Sequence, residues 1–339
     1  MKNRTIQYRE RGNPLDVLSL EKRPKPSPDT GEVLIEMLAA TIHPSDVGLI
    51  NGSYGKLRDL PAVAGREGVG KVVEAGPGVD EKIIGKLVAM PDALGAWQEF
   101  VTSPVDDLLL VPSLVPPDQL AVAILNPMTA WRLLHDFEYL KEGNFIIQNA
   151  GNSAVGLAVV QLAKMLGLSC ISLVRTEERL QQMLEFGAEH VLLDDDEVPA
   201  KVMELTGGQK CALGLNSVGG RSALRVARSL QTSGVHVTFG AMDGSPIRFP
   251  TRELIFEDIR FVGFWLDRWR RKQSPAGLRN AIEHVLQPLA LDQLRYPIDQ
   301  VYALEDFKKA LQRNAESRWG KVLLSPNPRS IEEIMKKSS

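Results

Sequence analysis

The chain has 339 residues, room for about two domains of roughly 150 residues each, which excludes a single small binding module. Forty basic against forty-two acidic side chains leave a formal charge of −2, so no global field draws the protein to nucleic acid or to an anionic membrane, and small neutral-to-anionic ligands remain open. Hydrophobic residues at 44% and charged residues at 24% are the balance of an ordinary globular protein, not of a disordered or fibrous one.

Cys170 and Cys211 cannot supply a disulfide framework or a four-thiolate zinc site, and their apolar neighbours make them reduced core thiols. Met1 to Glu10 alternates charge and polarity without an apolar run, and no stretch approaches the roughly 18 apolar residues of a membrane span. The expected compartment is the cytosol, with no membrane partner.

From Gly31 to about Pro112 the elements are short and β-like: Glu32 to Ala39, Val69 to Ala75, Lys86 to Met90 and Trp97 to Thr102, each bounded by Gly, Pro or Asp. This segment predicts an irregular, mostly antiparallel barrel. Pro116-Pro117-Asp118 opens a long helical pattern to about Leu134, with Pro127 breaking or kinking it. The period then changes. Strands near Phe145 to Ile147, Cys170 to Val174, Val191 to Leu193, Ala212 to Leu215, Val235 to Phe239 and Ile259 to Gly263 alternate with helices starting near Ala154, Thr176, Val198 and Arg221. Such alternation predicts a doubly wound, parallel, six-stranded sheet.

Two further helical stretches, Leu278 to Leu286 and Leu304 to Arg313, precede a last strand at Gly320 to Leu324, and the tail from Pro326 reads as a solvated end. The expected division is a discontinuous barrel-like domain, 1–121 with 270–339, around a dinucleotide-binding domain at 122–269.

Gln148-Asn-Ala-Gly-Asn-Ser-Ala-Val-Gly156 lies between the first parallel strand and its helix. A turn there aims backbone N–H groups and the positive helix end at a pyrophosphate, and small residues let the backbone approach. In this fold an acidic residue ending the second strand takes a ribose 2′-hydroxyl, whereas an arginine accommodates a 2′-phosphate. Here Leu173-Val174 is followed by Arg175, which favours NADPH over NADH.

Barrel, turn and Gly65-Arg-Glu-Gly-Val-Gly70 together resemble the medium-chain dehydrogenase/reductase superfamily over nearly the whole chain. Zinc alcohol dehydrogenases of that superfamily carry metal ligands where this chain has His43, ahead of Pro44-Ser45-Asp46, and Arg66. An arginine cannot bind zinc, and nothing in the spacing of His43, Asp46 and Glu67 requires a metal, so no metal is expected.

Within the zinc-free branch the chain is most similar to enoyl thioester (trans-2-enoyl-CoA) reductases, through Asn51-Gly-Ser-Tyr54-Gly, Leu60-Pro-Ala-Val, Asn126-Pro-Met-Thr129-Ala, Asn216-Ser-Val-Gly-Gly and Gly263-Phe-Trp-Leu-Asp-Arg-Trp269. The resemblance implies a GroES-like catalytic domain with Tyr54 as catalytic residue. It implies cofactor contacts from Asn126, Thr129, Asn152, Ser153, Ala154, Val155 and Arg175, from the loops Phe239, Gly240, Ala241, Met242 and Phe264, Trp265, Leu266, Asp267, and from Lys321. It also implies a homodimer paired through the sixth strands. The chain departs from the family in Arg66, where its members have Asn, and in Ala154, where Gly is usual.

Tyr54, protonated at neutral pH, is suited to donate the proton that follows hydride addition to an enoyl thioester. The alternatives are quinone reduction on the same scaffold and, in another class, a non-catalytic NADPH-binding structural or RNA-associated protein. Arg268, Arg270, Arg271 and Lys272 form a basic run beside Trp265 and Trp269, read as solvated charge or as a contact for carrier phosphates.

Overall fold

Apolar runs that are continuous and apolar runs that alternate with polar residues sort into different sheets. In the computed structural model, which describes residues 2–90, 94–248 and 251–338, the chain divides into two units, Met1–Leu125 with Leu286–Ser339 and Asn126–Val285. The first unit contains β1 (Lys2–Tyr8), β2 (Leu18–Pro24), β3 (Glu32–Thr41), β4 (Ala62–Val63), β5 (Gly68–Ala75), β6 (Leu87–Ala89), β7 (Phe100–Pro104) and β8 (Leu109–Leu110). The second contains β9 (Phe145–Gln148), β10 (Ser169–Val174), β11 (His190–Leu193), β12 (Cys211–Asn216), β13 (Leu230–Thr238) and β14 (Arg260–Gly263). The chain then returns to the first unit with β15 (Ile298–Ala303) and β16 (Lys321–Ser325).

The second unit is a parallel six-stranded sheet in the order β11-β10-β9-β12-β13-β14. Its inner strands are buried on both faces: Ile146, Ile147, Ile171, Leu173, Leu213 and Leu215 are all 0% exposed, as continuous β-branched and leucine runs require when helices cover both sides. The chain order reverses between β9 and β12, and in such sheets the crevice beyond the strands' carboxyl ends at that point takes the ligand.

The first unit holds a seven-stranded sheet, β15-β16-β3-β5-β6-β8 with β7 also on β3, and a small β2-β1-β4 sheet. All pairings in both are antiparallel except β15 with β16. β3 is central, and its Val33, Ile35 and Met37 pack with Ile6, Val72, Trp97, Phe307, Val322 and Leu324 in one core. Both sheets match the expected fold class, a doubly wound domain beside a mostly antiparallel one. The unit boundaries fall at 125/126 and 285/286, where the sequence reading puts them at 121/122 and 269/270.

Several local expectations are corrected. The helical stretch from Pro116 is two helices, Pro117–Leu120 and Leu125–His135, and the break precedes Pro127, which sits in a first turn where its missing N–H costs nothing. Trp97 lies ahead of β7, its N–H on Ala64 O and its ring N–H donating to Thr41 O at 3.1 Å. The tail is a helix, Pro328–Ser338, that buries Ile331 to 3% exposure; its final residue, Ser339, lies outside the described residues. The β1–β2 hairpin and β15 were not expected, because their outward residues are charged or polar and mask the alternation.

Candidate active site

β9 ends at Gln148, whose side-chain amide donates to Gly156 O and Ser172 Oγ, both at 3.0 Å. The chain turns through Ala150, at φ +48°, into the helix Ala154–Met165. Ser153 caps that helix by accepting from the Gly156 N–H at 3.1 Å. A Cβ on Gly156 would stand 2.3 Å from Gly151 O, so only glycine lets the turn close under the helix start. Asn152, Ser153, Ala154 and Val155 are half-buried, and the first N–H groups of the helix are presented there as an anion site.

A buried amide lattice, missed by the sequence reading, holds this turn to its neighbours. Asn149 donates to Asn216 Oδ1 at 2.7 Å and to Ser222 Oγ at 2.9 Å, and accepts from the Ser217 N–H at 2.8 Å. Asn216 accepts from the N–H groups of Val218 and Gly219 and donates to Thr238 Oγ1. These bonds tie the carboxyl ends of β9, β12 and β13 together across the reversal point. Asn149 and Asn216 stood in the quoted motifs, and the signal was an amide at the end of each of two apolar strands.

The other expected cofactor residues of this unit follow strand ends as well. Arg175 is exposed directly after β10. Phe239 to Met242 follow β13, where the Phe239 N–H donates to Asn216 O and the Met242 N–H to Ser217 O. Phe264, Trp265, Leu266 and Asp267 follow β14; Leu266 is buried and the other three half-buried. Arg271 lies over the Trp265 ring at 4.6 Å and Arg132 over Trp269 at 4.7 Å, while Arg268 and Lys272 are exposed.

Asn126 and Thr129 lie in the first turns of the helix Leu125–His135, ahead of β9. Three buried polar atoms of this unit have no partner among the described residues, and two of them, Asn126 Nδ2 and Ser217 Oγ, belong to these segments. Unmet donors beside a helix N-terminus and a cradle closed by glycine fit a dinucleotide with an amide-bearing ring.

Tyr54 and Lys321 belong to the first unit. The helix Pro44–Asn51 ends at Gly52, φ +88°, and the Tyr54 N–H returns to Gly48 O at 3.1 Å. Tyr54 is half-buried, and its hydroxyl accepts from Arg66 Nη1 at 3.0 Å. Arg66 is 4% exposed, and its guanidinium carbon stands 5.1 Å from the Tyr54 ring centre.

Behind this pair lies a buried charged cluster. His43 Nε2 meets Glu67 Oε2 at 2.6 Å, and Glu67 Oε1 accepts the N–H groups of Ile124 and Leu125. Asp46 accepts the His43 N–H at 2.6 Å. Lys321 Nζ donates to Ile42 O at 2.8 Å and stands 3.5 Å from His43 Nδ1. Burial pulls the Lys321 ammonium down to about 8, helped by Arg318; it lowers His43 and raises Asp46. Lys321 thus ties the last strand of this unit to the backbone ahead of the helix Pro44–Asn51.

The family described as alcohol dehydrogenase GroES-like domain matches residues 29–113, and that described as zinc-binding dehydrogenase matches residues 154–283. Over 91% of this chain, the mitochondrial enoyl-[acyl-carrier-protein] reductase of Xenopus tropicalis is 38% identical, with 91% of its own length covered. That of Homo sapiens is 36% identical over the same share of this chain, with 84% of its own length covered. Among solved structures, one from Bacillus thuringiensis attributed to an NADPH:quinone reductase superposes with a TM-score of 0.88 at 30% identity, covering 96% of this chain and all of that one. A mycobacterial protein solved with NADPH superposes at 0.82 and 28% identity, with the same coverage.

The relatives are named as mitochondrial enzymes, which corrects the expectation of a cytosolic protein; the composition of a folded enzyme is alike in both compartments and carries no address. The zinc in one family's description does not fit these residues. Both Glu67 oxygens are committed, the lysine ammonium stands beside His43, and no group of three metal-ligating side chains exists among the described residues. A parallel sheet with its glycine-closed turn, a second, mostly antiparallel unit that holds Tyr54, and 36–38% identity to the relatives over 91% of this chain together place it in the medium-chain dehydrogenase/reductase superfamily, within the family of the enoyl-[acyl-carrier-protein] reductases.

Proposed function

We propose that this protein is an NADPH-dependent, zinc-independent reductase of α,β-unsaturated thioesters. One observation carries the reading: Tyr54 lies in a segment that resembles the enoyl reductases, and its hydroxyl is held at 3.0 Å by a buried guanidinium. A phenol so held is a proton donor, which the reduction of a conjugated C=C needs after hydride has been delivered.

The residues suited to hold NADPH are the N–H groups of the turn Asn152–Val155 for the pyrophosphate, Arg175 for the 2′-phosphate, and Asn126 for the carboxamide, its Nδ2 being unmet. When bound, NADPH supplies the hydride, which is the cofactor's chemistry rather than the protein's. Tyr54 gives its proton to the α-carbon of the enolate, and the loops Phe239–Met242 and Phe264–Asp267 border the nucleotide. The protein forms a homodimer through β14, an edge strand whose residues are exposed or half-exposed.

The second reading, quinone reduction, is favoured by the 30% identity to the Bacillus structure. NADPH oxidation is to be followed with crotonyl-CoA and with 1,4-benzoquinone, in wild type and Tyr54→Phe. Thioester turnover falling by about 100-fold or more in the variant is expected for loss of a general acid. Turnover of the quinone alone, indifferent to the substitution, overturns the proposal in favour of a quinone reductase.

A further inference from the structure

Arg66 is buried against Tyr54, and several contacts of the fold put it there. Gly65 before it has φ +90°, and a Cβ at that position would stand 2.3 Å from the Trp97 ring, so the backbone direction into Arg66 is fixed by the buried tryptophan. Arg58 braces the same segment by donating to Val63 O at 2.6 Å and Gly65 O at 2.9 Å. On the other side, a Cβ on Gly48 would come within 2.9 Å of Tyr54 Cβ, so the tyrosine packs directly on the helix Pro44–Asn51.

The consequence for the hydroxyl is geometric first. An oxygen that accepts from a guanidinium N–H directs its own hydrogen elsewhere, so the phenol's rotor is no longer free to point at Arg66. The second consequence is electrostatic. A buried cation at hydrogen-bond distance favours the anionic form of its partner, and the more so where water is excluded.

Charged groups among the described residues face the pair from each element packed against it. From the helix Pro44–Asn51 it is faced by Asp46, whose carboxyl burial pushes up and whose Oδ2 already takes the His43 N–H. From the segment after Tyr54 come Arg58, a second cation, and the exposed Lys56 and Asp59. Glu67, next in sequence, is committed to His43 and to two backbone N–H groups, with the Lys321 ammonium beside that histidine.

We propose that Arg66 is a positioning residue for Tyr54, one that aims the phenolic O–H and stabilises the tyrosinate left after the proton has gone. In the step it serves, the Tyr54 O–H bond breaks, the enolate's electron pair forms the new C–H bond at the α-carbon, and the negative charge passes to the tyrosine oxygen, which solvent then reprotonates. Asparagine can orient a phenol in this way but carries no charge to offset the one that appears. The inference rests on Tyr54 being the proton donor.

The test reads Tyr54 directly. The tyrosinate absorbance of wild type, with that of Tyr54→Phe subtracted, is titrated against pH, and the pH profile of kcat with crotonyl-CoA is recorded in parallel for wild type, Arg66→Lys and Arg66→Asn. Tyr54 is expected to ionise below the ordinary tyrosine range in wild type and about one pH unit or more higher in Arg66→Asn. Arg66→Lys is expected to recover most of that difference. The alkaline limb of kcat should move with the titration, and kcat should fall about ten-fold in Arg66→Asn while KM stays within about two-fold.

A Tyr54 titration at or above the ordinary range in wild type overturns the inference even if neither variant folds, as does a titration unmoved in folded Arg66→Asn. Unaltered thioester turnover in Tyr54→Phe would instead sink the proton-donor role, while the absorbance titration still reports what Arg66 does to the phenol.

Discussion

We propose that the exposed Arg175 sets the cofactor preference. It is the first residue beyond β10, outside the sheet, and Glu177 and Glu178 follow it in the first turn of the next helix. An acidic residue at the strand end would bond a ribose 2′-hydroxyl and repel a 2′-phosphate; the guanidinium reverses that preference. Replacing Arg175 with alanine is expected to weaken NADPH binding about ten-fold or more by titration calorimetry and to leave NADH nearly unchanged, since only the former carries the 2′-phosphate. An NADPH-to-NADH affinity ratio that survives the substitution would remove the residue from the site. Residues of this sort were legible because strand ends are legible. The Tyr54–Arg66 contact was not, because it joins a loop to a strand entrance through side chains alone, and no periodicity reports which way two side chains turn.

β13 carries a histidine where the sheet is driest. His236 is 0% exposed; its ring Nε2–H donates to Ala223 O at 3.2 Å, and Nδ1 has no partner among the described residues. Burial lowers its pKa from the ordinary 6.5 to about 4, so between those values the unfolded chain binds a proton that the folded chain refuses. Its share of stability is therefore complete above about 6.5 and is lost as the pH falls toward about 4. Urea unfolding at pH about 7 and about 5 should show a smaller acid loss in His236→Leu than in wild type, and equal losses would mean the ring is hydrated in solution. The strand itself was readable from Val235 onward, because a short run of buried β-branched residues between glycines has few other meanings. Its beginning at Leu230 was hidden by exposed Gln231, Thr232 and Ser233. The tail helix was hidden in the same way: most of its residues are polar, and Ile331 alone is fully buried among those described.

For the whole molecule, the edge of the parallel sheet poses the question of association. Among the described residues β14 has one partner, β13, and Val262 on it is 36% exposed, while Ile255 and Phe256 just before it are 66% and 69% exposed. Bare strand edges flanked by apolar side chains invite pairing, and a second copy of the same strand is the partner that closes under two-fold symmetry. Light scattering on a size-exclusion column is expected to return twice the chain mass at micromolar concentration. A monomer there, or a dimer indifferent to Val262→Lys, would place the contact elsewhere.

The first unit is interrupted, and that interruption sets an order of events during synthesis. Its central strand β3 is made early, yet β16 bonds to it from the far end of the chain, and Ser325 Oγ reaches Leu38 O across 287 positions. The parallel sheet between them is continuous in sequence and, as domains fold in units on the ribosome, is complete while β3 still waits for its neighbour. β16 opens with Lys321, so the buried cluster behind Tyr54 gains its ammonium only after the whole parallel sheet has been made. A chain released before β16 would carry the whole turn after β9 but an unfinished cluster behind Tyr54.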